Sequence, residues 1–542
     1  MRLLVISMII AAMPLSITAR EVSLSQASEK ARLFLQAKVK AAGEERMVRL
    51  SADVYTGEDN AYYVFNVEGQ GGFAVIAGDD RAPEVLGYAL RGSLNYKDTL
   101  CSIRSVLESY ALQMERLRKN GGVLTGVPAK PSAPVPMLMQ TQWGQNAPYN
   151  EHCDLFVTKA PTGCVAVAMA QVLYYHRERS VAQVQATIPG YTCRTRWNVE
   201  GRKNLRLEVP SVAAGTPIDW GHMLTTYRDT SAIGKQERAA VASLMHYCGT
   251  AVEMEYREKE SAANVWSVPL AMKKYFGYNP QMEVKSQALL TADEWQQLLV
   301  GELQAARPVI LSSETVCGGH VFVCDGIDEA GLYHLNWGWG GQNDGYFVLA
   351  PFVEQQTGDA SPFFGAGMHA VVPLEPSQDR QPFVEQLRLT TVGLAVGSVD
   401  GKRFLSAKKP FVQQRENIKR NVRFGFQLVQ RNCTASTGDF ESALAMYDKK
   451  GRFVQLIEHS QNEFRHFNKT QTHFSSHAFD FGSMIKKGIF HIRPVSRKKG
   501  STEWLPNDNY LLGNHIQVIF KKKEVTIGLV KDEPDKKKKK KK

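Results

Sequence analysis

Apolar residues recur every three or four positions from Ser23 to Ala42. Leu24, Ala27, Ala31, Phe34, Leu35 and Val39 share one face, which predicts an amphipathic helix. The pattern then changes: "YYVFNV" (Tyr62–Val67) and "GFAVIAG" (Gly72–Gly78) read as two strands joined by the glycine-rich turn "EGQGG". "SIRSVLESYALQMERLRK" (Ser102–Lys119) returns to a helical period. It is followed by "GVPAKPSAPVPM" (Gly126–Met137), whose four prolines predict an extended, protease-accessible connector. "APTGCVAVAMAQVLYYH" (Ala160–His176) is a small-and-apolar helical run that begins at Cys164. Further on, "RPVILSS", "HVFVCDGI", "LYHLNW" and "GYFVLA", between Arg307 and Ala350, predict strands, the last three as an antiparallel meander. A helical beginning with a sheet-rich end is an α+β arrangement. Beyond Gln381, "VRFGFQLV", "ALAMYD", "FVQLIE", "GIFHIRPV" and "HIQVIF" alternate with turn residues, as in an immunoglobulin-like β-sandwich.

Length and composition add compartments to this pattern. At 542 residues the chain exceeds one ordinary core, and 43% hydrophobic with 22% charged residues marks it as globular. Residues 1–19 join a short positive start to an apolar stretch ending in "ITA", the layout of a secretory signal peptide. No later run approaches the apolar length of a transmembrane helix. The expected organisation is a signal peptide at 1–19, an α+β unit with its Pro-rich linker at 20–136, and a second α+β unit at 137–375. A β-sandwich at 381–530 and a basic tail at 531–542 complete it.

Charge and cysteines narrow the chemistry. Residues 381–542 carry 32 Lys+Arg against 15 Asp+Glu, a net +17 in a chain of net +12, leaving −5 for the rest. Seven of those positive charges are the run Lys536–Lys542, read as a tail. The basic segment is compatible with binding an acidic surface or polymer and equally with a solvated basic face; nothing in it points to specific nucleic-acid recognition. Cys101, Cys153, Cys164, Cys193, Cys248, Cys317, Cys324 and Cys433 are sparse and irregular, so no disulfide framework is read. Cys317, His320 and Cys324 make only three metal-ligand types at an unusual spacing, where a closed zinc site wants four. No metal or cofactor is expected.

Cys164 stands where a nucleophile gains most. A helix starting there would set its sulfur at the positive end of the helix dipole and leave its N–H available to an oxyanion. The rival reading is a buried core cysteine. A cysteine nucleophile needs a base from elsewhere. His320 follows two glycines at the mouth of a strand, and Asn336, Trp337 and Trp339 in "YHLNWGWGGQNDGYF" could orient and shield its ring. His176 and His334 read as ordinary packed histidines.

Together, "GQNAPYN" (Gly144–Asn150), "TGCVAVAMAQVLYYH", "GGHVFVCDGID" and "YHLNWGWGGQNDGYF" resemble the streptopain-type papain-like cysteine peptidases, with the motifs in the same order. "YYVFNVEGQGGFAVIAGDDRAPEVLGYA" resembles the inhibitory prodomain of those zymogens, so the resemblance covers roughly residues 20 to 373. It implies a papain-like fold and a secreted cysteine endopeptidase acting on protein or peptide substrates, with its own prodomain as intramolecular inhibitor. It also implies Cys164 as nucleophile, His320 as general acid/base and Gln145 in the oxyanion hole. Asn336 or Trp337 would orient His320, Trp339 would wall the cleft and Gly319 would leave room for substrate backbone. A hydrophobic residue two positions before the scissile bond is implied too. Ser261 aligns with a substrate-contacting serine, although the loop around it, "EKESAANVWSVP", lacks the glycines of that family. Two other functions use the same residue types: a cell-wall amidase with a Cys–His pair, and an inactive papain-like binding protein.

Overall fold

A computed structural model describes residues 21–95, 101–119, 131, 133–153, 159–194, 206–228, 232–287, 290, 292–315, 318–349, 368–378, 383, 385–398, 411–414, 423–434, 437–457, 464–467, 472–480, 488–509, 514–521 and 524–531. The expected signal peptide, residues 126–130 and 132 of the Pro-rich connector and residues 532–542 of the basic tail lie outside them. The described residues fall in two compact units, 21–119 and 131–531.

In the first unit, helix α1 (Leu24–Ala41) opens on a capping box. The Ser23 hydroxyl accepts the Gln26 N–H, and the Gln26 side chain accepts the Ser23 N–H. Ala27, Ala31, Leu35 and Val39 form its buried stripe, while Leu24, expected on that face, is exposed in the first turn. Strands β1 (Leu50–Thr56), β2 (Tyr62–Val67), β3 (Phe73–Ala77) and β4 (Val85–Ala89) pair antiparallel in chain order. Helix α2 (Cys101–Lys119) buries Ile103, Val106, Leu107, Tyr110, Met114 and Leu117, and the Tyr110 hydroxyl donates to the Leu86 carbonyl.

The second unit is organised around helix α3 (Cys164–Tyr175), which is buried on every side from Val165 to Tyr174. A helix apolar all round belongs in a core. Gln171 is its one strongly polar residue, and it too is fully buried. The ribbon β5 (Tyr191–Arg194) and β6 (Arg206–Val209) and helices α4 (Lys235–Ala251) and α5 (Val268–Phe276) follow. Beyond them, β7 (Glu283–Ser286), α6 (Ala292–Gln304), β8 (Val309–Thr315), β9 (Gly318–Ile327), β10 (Tyr333–Asn336), β11 (Gly345–Phe347) and β12 (His369–Val372) complete the α+β portion. Here the sheet runs β11-β10-β9-β8-β12-β7, all antiparallel. Its β9-β10-β11 part is the expected meander.

Chain entering from the connector is pinned to β9. Val135 and Ile327 exchange backbone hydrogen bonds, and the Leu138 N–H donates to the Asp325 carbonyl. The Asp325 carboxylate accepts the Met139 N–H at 2.9 Å and faces His334 Nδ1 at 2.5 Å. Both side chains are buried, and the aspartate raises the His334 pKa against the effect of burial. His334 is thus one half of a buried hydrogen-bonded pair with Asp325 rather than an ordinary strand histidine.

The C-terminal region is all β, in two sheets. One holds 390–398, 423–431 and 472–480 with the short 508–509. The larger is built on 411–414, 438–448, 453–457, 488–498, 514–520 and 524–531. The five strands expected there are present. The runs at 390–398 and 472–480 are diluted by glycine, serine and histidine, which weakens the apolar alternation that would reveal them. Among the described residues no helix is long and apolar enough to cross a membrane, and Cys153, Cys164, Cys193, Cys248, Cys324 and Cys433 are not in disulfides.

Removing one partner of a buried pair strands the other. Asp325→Ala is expected to lower stability by about 3–5 kcal/mol, and Asp325→Asn, which keeps an acceptor for Met139, by less. Urea unfolding of the full chain measures the difference; equal losses for both variants would contradict it.

Candidate active site

Gly163 ends the approach to α3 with φ of 87°, a left-handed value that favours glycine. A Cβ there would also stand 2.5 Å from Met254 Sδ and 3.1 Å from the Ser261 carbonyl. Backbone conformation and close approach therefore both require glycine before Cys164. The Cys164 sulfur lies against the backbone N–H groups of Val165, of Cys164 itself and of Val321, the residue after His320. Those N–H groups favour the thiolate, but burial outweighs them and raises the thiol pKa; Glu260 adds to the rise. The helix N-terminus does act on this sulfur as the sequence suggested, yet the net shift runs the other way because desolvation is the larger effect.

His320 sits in β9 opposite Ser313 of β8, with exposed Gly318 and Gly319 before it. Its Nε2 lies 3.0 Å from the Trp337 carbonyl and so carries the proton in that hydrogen bond, leaving Nδ1 as the second ring nitrogen. Trp339 stacks on the ring at 5.6 Å with planes 10° apart, and Trp337 lies at 6.1 Å. Burial lowers the His320 pKa to about 4, opposed only by the neutral carbonyl. In this state the imidazole and the thiol are both uncharged at neutral pH.

Asn336 and Trp337 were both candidates to orient this ring, and the contact is made by neither side chain. It is made by the Trp337 backbone carbonyl. All the hydrogen bonds of the Asn336 side chain go elsewhere: its amide donates to the Thr141 carbonyl (2.7 Å) and Gln171, and its oxygen accepts from Gln171 Nε2 (3.0 Å) and the Gly338 N–H. Asn336 therefore shapes the turn that presents the carbonyl. The N–H of Trp337 donates to Asp344 at 2.9 Å, and burial raises that carboxyl's pKa to about 7.

Gln171 links this turn to the segment carrying Gln145. Its Oε1 accepts the Trp143 N–H at 3.2 Å while its amide holds Asn336. The Gly340 N–H closes the same loop on the Trp143 carbonyl at 2.9 Å, and a Cβ on Gly144 would stand 3.3 Å from Gly340 N. Gln145 is buried, and its carbonyl accepts the Thr162 N–H two residues before Cys164. Ser261 is also near: its carbonyl faces Gly163, while its hydroxyl accepts the Arg257 N–H. The geometry thus gathers Cys164, His320, Gln145, Trp337, Trp339 and Ser261 around the start of α3, with Asn336 one layer behind. Gln171, Asp344 and Met254 were not anticipated. The signal for Gln171 was a lone amide in a wholly apolar helix, which has to be satisfied inside the protein. Cys317 lies outside the described residues, among which no group of His, Cys, Asp and Glu is arranged to hold a metal ion.

A thiol at the N-terminus of a helix, against the strand that carries a buried histidine, fits a cysteine peptidase, and comparison with known proteins supports that class. Residues 143–347 match the Peptidase C10 family and residues 19–114 match the Spi protease inhibitor family. Streptopain of Streptococcus pyogenes is 30% identical over 332 residues, spanning 58% of this chain and 80% of that protein. The thiol protease/hemagglutinin PrtT of Porphyromonas gingivalis is 26% identical over 399 residues, 70% of this chain and 44% of that one. A fragment of prointerpain A from Prevotella intermedia superposes with a TM-score of 0.51 at 29% identity, covering 61% of this chain and 99% of the fragment. The chain belongs to the peptidase C10 family.

Gln171 ties the Gln145 segment to the turn that holds His320, so losing it should misplace both. Gln171→Leu is expected to lower kcat/KM by about ten- to a hundredfold, mostly in kcat, and to weaken a peptide-aldehyde inhibitor in parallel. Steady-state kinetics and inhibition constants on the folded variant measure this; unchanged kcat with a raised KM would contradict it.

Proposed function

We propose that the protein is an exported cysteine endopeptidase made as a zymogen. The observation that carries this reading is the meeting of β9 with the start of α3, which sets the Cys164 thiol against the residue after His320. Cys164 gives its proton to His320 and attacks the peptide carbonyl. The oxyanion forms between the Cys164 N–H and the Gln145 side-chain amide. His320 then returns the proton to the leaving amine, and a thioester remains on Cys164. Next, His320 takes a proton from water, the resulting hydroxide attacks the thioester, and the released thiolate is reprotonated. The Trp337 carbonyl fixes the imidazole, Trp339 walls the cleft, Gly319 admits substrate backbone and Ser261 lines the facing wall.

The match of residues 19–114 to a protease inhibitor supports an inhibitory role for the N-terminal unit. The composition of residues 1–19 supports export. Maturation would cut between the two units. Because Val135, Leu138 and Met139 are hydrogen-bonded to β9, a cut after Val135 would strip bonds from the mature enzyme. The cut is therefore placed between 120 and 134.

Purified full-length chain, incubated under reducing conditions with an unfolded protein substrate, is expected to shorten itself and degrade the substrate. Cys164→Ala should do neither, and Gln145→Ala should lose about 10²–10³ in kcat. Gel time courses and peptide kinetics give the answer. If Cys164→Ala still degrades the substrate, the proposed nucleophile is wrong. Sequencing of the mature N-terminus is expected to find a residue between 121 and 135; a start beyond Val135 would contradict the proposed role of that bridge.

A further inference from the structure

The loop that walls the nucleophile is held from two sides. On one side Met254 and the Ser261 carbonyl press on Gly163, and Glu260 is close enough to shift the Cys164 thiol. On the other side stands the C-terminal β region. Arg431, at the end of the strand 423–431, donates from Nη1 to Asn264 Oδ1 at 3.3 Å and places its guanidinium 5.2 Å from the centre of the Trp266 ring. Asn264 in turn caps the turn at Val265–Ser267 by accepting the Trp266 N–H. Trp266 is buried between Arg431 and His369 of β12, whose ring meets it edge-on at 5.0 Å. Two further contacts bind the segment leading into the β region to α5: Lys274 pairs with Glu385 at 2.9 Å, and Lys273 lies over Phe383.

The rest of this seam is loosely filled. A cavity of about 310 Å³ separates Glu253, Glu255 and Ala262 from Cys433 and Thr434. Met254, Tyr256, Val265 and Trp266 anchor the segment in the core, while Ala262, Ala263 and Asn264 between them line the cavity. Across the seam, the Arg431 contact reaches the segment at Asn264, three residues beyond Ser261. A planar guanidinium that both hydrogen-bonds and stacks is suited to this, and an ammonium is not.

We propose that the C-terminal β region is a working part of the substrate cleft: through Arg431 it clamps the 253–267 segment and thereby sets substrate affinity. Arg431 is a positioning residue, acting on substrate through Asn264, Trp266 and the loop containing Ser261. The proposal rests on the peptidase reading above, because the loop matters only if substrate lies against it.

The test uses the full chain, matured where it self-processes, with Arg431→Ala, Arg431→Lys and Asp448→Ala. Asp448 accepts the Lys450 and Arg452 N–H groups in the hairpin turn after the strand 438–448, so its loss perturbs the β region and leaves Arg431 and its contacts in place. Arg431→Ala is expected to raise KM for extended peptide substrates about three- to tenfold with kcat within about twofold. Trypsin should cut faster after Arg257 and Lys259, which lie within the clamped segment. Arg431→Lys should fall between wild type and alanine, and Asp448→Ala should match wild type. An unchanged KM in Arg431→Ala would overturn the proposal, as would an equal effect from Asp448→Ala, which would indicate general loosening of the β region. A wild-type chain without Cys164-dependent hydrolysis would instead sink the peptidase reading, and tryptic protection would then decide the clamp alone.

Discussion

The site depends on one peptide unit, the backbone of Trp337. Its carbonyl takes the proton of His320 Nε2, and its N–H is held by Asp344 on the opposite side of the turn. Asn336 and Gln171 fix the strand that delivers this unit. A carbonyl held in this way can select the tautomer and angle of an imidazole as a side-chain partner would. It carries no full charge, however, and so cannot counter the desolvation of an imidazolium as a carboxylate could. That is why burial prevails at His320 and its pKa falls to about 4.

Several features of the site could be read from residue order alone, and the reason is local. A glycine before a cysteine at the head of an apolar helix is a backbone requirement written into adjacent positions. The role of Asn336 was not legible in the same way. Adjacency placed it beside the orienting contact, but its amide turns toward Thr141 and Gln171, far away in sequence. Asp344 looked like a turn residue in "NDG"; its function depends on a bond across the turn to Trp337 that no periodicity encodes. In the fold, elements with strong period or alternation stood out, from α1 to the β9–β11 meander. Strands such as 472–480, rich in serine and histidine, emerged only through pairing with 423–431.

The same distinction applies between the two ends of the α+β portion. Gln171, Asn336 and the Asp325–His334 pair are polar groups placed in an apolar interior, and each is matched by a partner from a distant segment. Burying such groups gains little stability over an apolar core, but their geometry admits few alternatives. They fix the relative positions of α3, the Trp143–Gln145 segment and β10 to within a hydrogen bond. The 253–267 segment is held near its ends by buried Met254, Tyr256, Val265 and Trp266, with the Tyr191 hydroxyl donating to the Met254 carbonyl and Glu255 pairing with Ala262 through the backbone. A serine hydroxyl, a capping asparagine and an arginine from the β region add to this.

The electrostatics of the Cys164–His320 pair follow from this construction. The N-terminus of α3 and the Val321 N–H favour a thiolate, while burial and Glu260 oppose it. At His320, burial opposes the imidazolium. Separate ionisation of either group is thus unfavourable, because each charge would stand desolvated without its counterpart. In the mechanism proposed above, proton transfer from sulfur to ring would create both charges together and let them stabilise one another. Any change that admits water or a polar substrate lowers the desolvation cost for both at once. The balance between neutral pair and ion pair is therefore set by the walls of the cleft more than by the two residues, and the loop beside Glu260 is one of those walls.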